Sequence, residues 1–244
     1  MKLIFSPSRS PSFNLAAEEF LFSESGDEIV FLYVNDPCVI IGSNQSVPNE
    51  VDQDFCVLNS IEIIRRLSGG GAVYHDQGNI NYCFIHNKIP DKSSLSADFL
   101  MPVIQSLHSM QIPCEIGKRK DLWLNGYKIS GTASHVSKNR ELHHGTLLYN
   151  TDLGKLQNAL TPQVGKPLKK ATLSVPSPVK NIRTFLMEND RYTPAESVFF
   201  QLFSQKILDY FQLNQLSEFT VNENAQIDKM QLQKYSSNEW NFKM

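Results

Sequence analysis

The chain has 244 residues, of which 41% are hydrophobic, 20% charged and 10% aromatic, a composition that belongs to folded globular proteins and excludes a disordered chain. Its 23 basic and 25 acidic side chains leave a formal charge of -2. That near balance supplies no positive field for nucleic acid and no basic surface for an anionic membrane. No apolar run approaches the roughly 20 residues that span a bilayer. The opening MKLIFSPSRS meets charge and proline too early for a signal peptide. Cys38, Cys56, Cys83 and Cys114 stand far apart with no C-x-x-C pair, so a soluble, cytoplasmic protein without a disulfide scaffold is expected.

In chain order, the first element is a helix over SFNLAAEEFLF, where Phe13, Ala16, Ala17, Phe20 and Leu21 share one face. Apolar runs at Ile29 to Val34 and Cys38 to Gly42 flank Asn35-Asp36-Pro37 and read as a pair of strands. Further strands are expected at Ile61 to Ile64 and Asn81 to Ile85. Ala97 to Met110 has a helical pattern that Pro113 stops. Asp121 to Leu124, Ile129 to Ala133 and Gly145 to Tyr149 read as strands, the first two joined by the hairpin dipeptide Asn125-Gly126. Residues 161 to 183, rich in Pro, Lys and Ser, form an irregular connection. Thr193-Pro194-Ala195-Glu196 predicts a capping box with proline at the first helical position, opening a helix through Phe211. A last helix is expected near Gln226 to Tyr235. The fold class is α+β, a mixed β-sheet flanked by helices.

The most informative stretch is RRLSGGGAVYHDQGNIN, residues 65 to 81. Gly69-Gly70-Gly71 removes every side chain from a turn between strands and lets another molecule approach the backbone. Its N-H groups can form an anion site. Arg65 and Arg66 offer the fork that phosphate oxygens match, and Ser68, His75, Asp76, Asn79 and Asn81 supply polar groups. The loop is neither a Walker A nor a Rossmann turn. Two readings fit it: a pocket for a nucleotide phosphate, and a glycine hairpin with solvated arginines. Lys128, between Tyr127 and Ile129 at the start of a strand, likewise reads either as a surface charge or as a fixed cation for developing negative charge.

RRLSGGGAVYHDQGNIN resembles the motif of lipoate-protein ligases, in the biotin/lipoate ligase superfamily. KISGTA, HHGTLLYNTDL, FNLAAEEFLF, PCVIIGSNQSVPNEV and KYSSNEWNF resemble the family's other motifs, in the family's order over nearly the whole chain. The resemblance implies a biotin/lipoate ligase-like catalytic domain over residues 1 to 244. It also implies a two-step reaction, in which lipoate and Mg-ATP give lipoyl-adenylate, which then acylates a lysine. The acceptors would be apo-lipoyl domains of 2-oxoacid dehydrogenase E2 subunits or the glycine cleavage H protein. By the same resemblance Arg66, Gly70, Gly71, Ala72, Val73 and Tyr74 contact ATP or the adenylate. Lys128 bridges the acyl carbonyl and the α-phosphate, and Ser68, His75, Asp76 and Asn79 belong to the polar shell.

The match departs in three places. Ser43 stands where relatives carry a basic or bulky residue, and Arg119-Lys120-Asp121 replaces their Arg-Asn-Asp, which bears on Asp121 as a metal ligand. The chain also stops at Met244, where many ligases continue into a small domain. The expectation is that the large domain stands alone and that a separate small accessory protein completes adenylation. Two alternatives stay open. One is an octanoyl- or lipoyl-transferase of the same fold that works through a cysteine without ATP. The other is a non-catalytic lipoate-binding protein. His143-His144 gives no sign of a metal pair.

Overall fold

The computed structural model describes residues 1–88, 96–162 and 171–243. Its strands are β1 (Lys2–Phe5), β2 (Ile29–Tyr33), β3 (Cys38–Ile41), β4 (Glu62–Arg65), β5 (Val73–His75) and β6 (Asn79–Asn87), then β7 (Glu115–Ile116), β8 (Leu122–Leu124), β9 (Tyr127–Ser130), β10 (Thr132–Val136) and β11 (Arg140–Leu148). The helices are α1 (Pro11–Ser23), the short α2 (Val47–Glu50) and α3 (Gln53–Leu58), α4 (Met101–Ser109), α5 (Leu153–Ala159), α6 (Ile182–Glu188), α7 (Glu196–Tyr210), α8 (Val221–Met230) and α9 (Asn238–Asn241).

The main sheet runs β1-β2-β6-β11-β10, with β1 parallel to β2 and the other pairs antiparallel. Helices cover both of its faces. Val30 and Leu32 pack with residues of α4, α6 and α7, while Ile29, Phe31 and Tyr33 pack with α1 and Ile227 of α8. This double burial explains why β2 reads as an unbroken apolar run instead of an alternation. A second sheet, β4-β3-β5, has its own cluster with α3 and α5 around Val39, Ile41 and Tyr74. The third, β7-β8-β9, is antiparallel. The α+β architecture is the one expected.

Several local expectations hold. The first helix forms as α1, and Asn125 and Gly126 take φ of 48° and 79° between β8 and β9, the left-handed pair that a tight hairpin requires. Others are corrected. β2 and β3 do not pair, because Asn35-Asp36-Pro37 carries the chain from one sheet to another. The buried Asn35 side chain bonds across that crossing to Asn14 and His75. The glycine stretch is not a hairpin either, since its flanking strands β4 and β5 lie on opposite sides of β3. The strand expected over Ile129 to Ala133 breaks at Gly131, where the chain leaves the third sheet and enters the main one.

The helix expected from Ala97 starts as a 3-10 turn, Asp98–Leu100, before α4. The capping box at Thr193 does not form, and α7 begins at Glu196 with Ala195 as its cap. Thr193 instead donates to Arg191 O, and Glu196 accepts from Asn150. A capping box forms one helix later, where Thr220 and Glu223 cap the start of α8, which runs on into a π-helical turn, Gln231–Tyr235. Of the irregular connection, residues 163–170 lie outside the described residues, and residues 171–181 have no helix and only one strand bridge.

Candidate functional site

Arg65 and Arg66 are neighbours at the end of β4, so their side chains leave on opposite sides. Arg65 points into the protein and lies outside the lining of the cavity described below. It is fully buried and donates to the carbonyls of Gly42 (2.9 Å), Gln45 (2.7 Å), Trp240 (3.2 Å) and Lys243 (2.9 Å). It is a structural tie between β4 and the C-terminal segment, which corrects the reading of both arginines as phosphate forks. Arg65→Leu should therefore cost stability. It strands several buried carbonyls at about 1–3 kcal/mol each before relaxation, and a lowered denaturant midpoint is the measurement.

Arg66 faces inward. Its guanidinium donates to Gly69 O (2.5 Å) and Gly71 O (2.8 Å), so it holds the glycine loop from inside, and its Nε donates to Ser68 Oγ (2.9 Å). The Ser68 hydroxyl lies 2.7 Å from His144 Nε2, and His144 Nδ1 lies 2.8 Å from Glu18 Oε2. A carboxylate only accepts, so the imidazole proton sits on Nδ1 and Nε2 takes the Ser68 hydroxyl. Tyr33 also donates to Glu18 (3.0 Å). Burial lowers the Arg66 pKa to about 10, with Glu18 acting against the shift, so the guanidinium stays charged at neutral pH.

This loop forms one wall of a cavity of about 330 Å³. Gly70, Gly71, Ala72 and Val73 line it together with Arg66 and His75. Across from them stand Lys128 and Asp121, 3.5 Å apart at Nζ and Oδ2, with Arg119 3.9 Å from the same oxygen. Burial pushes the Lys128 pKa down while Asp121 pulls it back up. Asp121 is buried, and its Oδ2 has no hydrogen-bond partner. Leu15, Tyr33 and Ile40 make an apolar part of the lining. Residues 172–175 also border the cavity, and Ser174 Oγ accepts from Ala72 N (2.8 Å) while donating to Glu50. A larger cleft of about 1050 Å³ lies elsewhere, between Arg9, Gln77 and the Phe200 side of α7. It contains neither the glycine loop nor a lysine.

Not every residue singled out by sequence reaches this cavity. Tyr74 alternates to the far side of β5 and packs in the second sheet's core. Asp76 accepts from Gly78 N (2.9 Å) and Asp152 N (2.7 Å), and Asn79 donates to Asn81 (2.8 Å); both shape the turn into β6. Ser68 is buried behind the loop and acts on it through Arg66.

His75 is placed by residues that sequence reasoning missed. Asn14 Nδ2 donates to Ser8 O (3.0 Å) and to Asn35 Oδ1 (2.8 Å), so Asn35 must turn its NH₂ toward His75 Nδ1 (3.0 Å). His75 Nδ1 is then the acceptor, and Nε2 carries the proton, buried and without a hydrogen-bond partner. Burial, with Arg66 nearby, lowers its pKa from 6.5 to about 3, so it is neutral at physiological pH. The unfolded chain binds this proton below pH 6.5 and the folded chain does not. Folding stability is therefore fully present above 6.5 and falls as pH drops toward 3, by roughly 1 kcal/mol per pH unit. His75→Gln should flatten that limb in acid denaturation.

All four cysteines are buried, and among the described residues none lines the cavity. Burial pushes the thiols of Cys38 and Cys83 well up, Cys56 to about 11 and Cys114 to about 12. None has the depressed pKa of a nucleophile.

Comparisons with known proteins converge on one family. The family model described as the lipoyl protein ligase A/B catalytic domain matches residues 10–212. Lipoate-protein ligase 1 of Staphylococcus aureus is 36% identical over 236 residues, covering 95% of this chain and 70% of that protein. A lipoate-protein ligase of Bacillus subtilis is 35% identical over the same shares. Among solved structures, the bipartite lipoate protein ligase of Thermoplasma acidophilum superimposes with a TM-score of 0.80 at 25% identity, covering 99% of this chain and 95% of that one.

Proposed function

The chain belongs to the lipoyl protein ligase A/B catalytic-domain family, and we propose that it activates lipoate with ATP and transfers the lipoyl group to a lysine of an apo-lipoyl domain. The observation that carries this reading is the shared cavity. Lys128 and a clamped glycine loop face one space whose remaining lining includes Leu15, Tyr33 and Ile40. An acyl chain needs such an apolar wall, and its carboxylate and the α-phosphate need the charge.

In the first step a lipoate carboxylate oxygen bonds to the α-phosphorus, and the bond to the β-phosphate oxygen breaks to release pyrophosphate. Two anions must meet, so the barrier is mostly electrostatic. Lys128 balances the charge that develops between carboxylate and phosphate, while the loop and the cavity walls hold the partners in line. In the second step the acceptor amine attacks the activated carbonyl and AMP leaves, with no enzyme nucleophile. Asp121 is the residue that would hold Mg²⁺, because its buried Oδ2 lacks a hydrogen-bond partner and magnesium needs only one or two protein carboxylates beside phosphates. Bound there, the ion would neutralise phosphate charge.

The acceptors we propose are lipoyl domains of 2-oxoacid dehydrogenase E2 subunits and the glycine cleavage H protein. A separate small accessory protein would assist adenylation, a reading supported by the bipartite archaeal ligase that this chain matches along its length. Residues 1–244 act in this scheme as one catalytic unit. No described helix is long and apolar enough to cross a membrane. Pyrophosphate release that requires both ATP and lipoate, measured with and without a candidate accessory protein, tests the proposal; release that ignores lipoate would reject it.

A further inference from the structure

Behind the glycine loop runs a chain of buried side chains that begins outside the cavity. Glu18 on α1 is 4% exposed and is not among the residues that line the cavity. A carboxylate buried to that degree needs hydrogen-bond donors. His144 Nδ1 lies 2.8 Å from Oε2, Tyr33 donates its hydroxyl to Oε1 at 3.0 Å, and the Cys83 thiol bonds to the same carboxylate. From His144 the chain continues through Nε2 to Ser68 Oγ at 2.7 Å, and Ser68 accepts from Arg66 Nε at 2.9 Å. The other nitrogens of Arg66 donate to Ile40 O at 3.2 Å and to the carbonyls of Gly69 and Gly71.

The donors along this chain can point only one way. Glu18 accepts, so His144 Nδ1 donates and Nε2 is left as an acceptor. The Ser68 hydroxyl then donates to Nε2 and keeps a lone pair for Arg66 Nε. Among the described residues that hydroxyl has no other acceptor. Ser68, His144 and Glu18 thus repeat the serine, histidine, carboxylate order of acyl hydrolases, in which the carboxylate fixes the tautomer of the imidazole. Here the serine is not placed to attack. Ser68 is fully buried, lies outside the cavity lining, and has its oxygen engaged by Arg66.

We propose that Glu18 is a positioning residue for the glycine loop, acting through His144 and Ser68 on the guanidinium of Arg66. This role presupposes that the loop is the nucleotide wall, as in the proposed function. By fixing which imidazole nitrogen carries the proton, Glu18 keeps the Ser68 oxygen open to Arg66 Nε. Arg66 in turn holds the carbonyls of Gly69 and Gly71, so the loop backbone stays in one conformation. In Glu18→Gln the amide oxygen keeps the Tyr33 bond at the Oε1 position, and the NH₂ group then faces His144 Nδ1. An NH₂ group donates, so the imidazole proton moves to Nε2 and points at Ser68 Oγ. The serine hydroxyl loses its acceptor, and a second donor competes with Arg66 for the same oxygen.

The test uses the full chain and two kinds of measurement. Nitrogen NMR of histidine-labelled protein reads the tautomer: His144 should carry its proton on Nδ1 in the wild type and on Nε2 in Glu18→Gln. The Arg66 Nε–H signal should exchange with solvent about tenfold faster in Glu18→Gln and in Ser68→Ala than in the wild type. Calorimetry should show ATP affinity falling by about tenfold in each variant, and by no more than that in the double variant, because members of one relay do not add. Thermal unfolding establishes that the variants are folded. A wild-type tautomer and wild-type Arg66 exchange in Glu18→Gln would overturn the relay, and so would losses that multiply in the double variant. Acylation of Ser68 by lipoyl-adenylate, seen by mass spectrometry, would make it a nucleophile and overturn the positioning role. A wild-type chain that binds no ATP would instead reject the nucleotide reading of the loop, and the NMR signals would still decide the relay.

Discussion

Lys128→Ala should lower the rate of lipoyl-adenylate formation by about 10²- to 10³-fold, the usual cost of removing one preorganised charge from a developing anion. The ammonium is only partly open to solvent, on the cavity wall, and 3.5 Å from Asp121. Its backbone is pinned on both sides, with Lys128 N donating to Pro178 O at 2.8 Å and Lys180 N donating to Lys128 O at 3.3 Å. The variant should thus keep its fold and lose mainly kcat. Titration of the same group adds a pH signature. Burial pushes its pKa below the usual 10.5, so activity should fall on the alkaline side earlier than for a free lysine. Asp121 pulls the pKa up, so Asp121→Asn should move that limb to still lower pH. Wild-type adenylation by purified Lys128→Ala would remove Lys128 from the mechanism.

Gly70→Val should reduce nucleotide affinity by about 10- to 100-fold, from roughly 1–3 kcal/mol of backbone strain. Gly70 has φ of 90°, where a β-branched residue is strained, and an added Cβ would sit 3.0 Å from Arg66 Nη2. That nitrogen holds the carbonyls of Gly69 and Gly71, so the intrusion acts on the whole loop. Gly69 supplies the control inside the same tripeptide. A Cβ there meets nothing within 4 Å, so Gly69→Ala should bind nucleotide within a few-fold of wild type. Calorimetry with ATP on both variants separates conformational demand at Gly70 from a general intolerance of side chains. Equal affinities would mean the loop does not meet the nucleotide.

Short-range chemistry accounts for what was legible in the sequence. The Asn125-Gly126 hairpin, the periodicity of α1 and the exposed backbone of Gly69 to Gly71 each depend on residues a few positions apart. The motif resemblance likewise picked out Lys128 and Arg66, both of which line the cavity. What escaped depends on which sheet a strand joins. Nothing local distinguishes Arg65 from Arg66, yet one ties down the C-terminal segment and the other clamps the loop, because neighbours on a strand face opposite ways. Tyr74 left the site for the same reason. β2 and β3 looked like partners because a turn tripeptide separates them, but the buried Asn35 side chain serves a contact 40 residues away at His75. The Asn14, Asn35 and Glu18 supports were invisible for that reason, although all three polar residues sit in or beside apolar runs, which is the available signal. The capping motif at Thr193 failed because Glu196 is drawn to Asn150 and Arg183.

In the proposed function, this cavity holds an acyl-adenylate and passes its acyl group to a lysine without a covalent enzyme intermediate. Synthetic lipoyl-adenylate mixed with the purified chain and an apo-lipoyl domain tests it most directly, followed by mass spectrometry of both proteins. The expected result is a lipoyl mass increment on the acceptor lysine, release of AMP, no acyl group on any of the four cysteines, and loss of the reaction in Lys128→Ala. An acyl-thioester on the chain, or an acceptor left unmodified while the adenylate stays unbound, would contradict it.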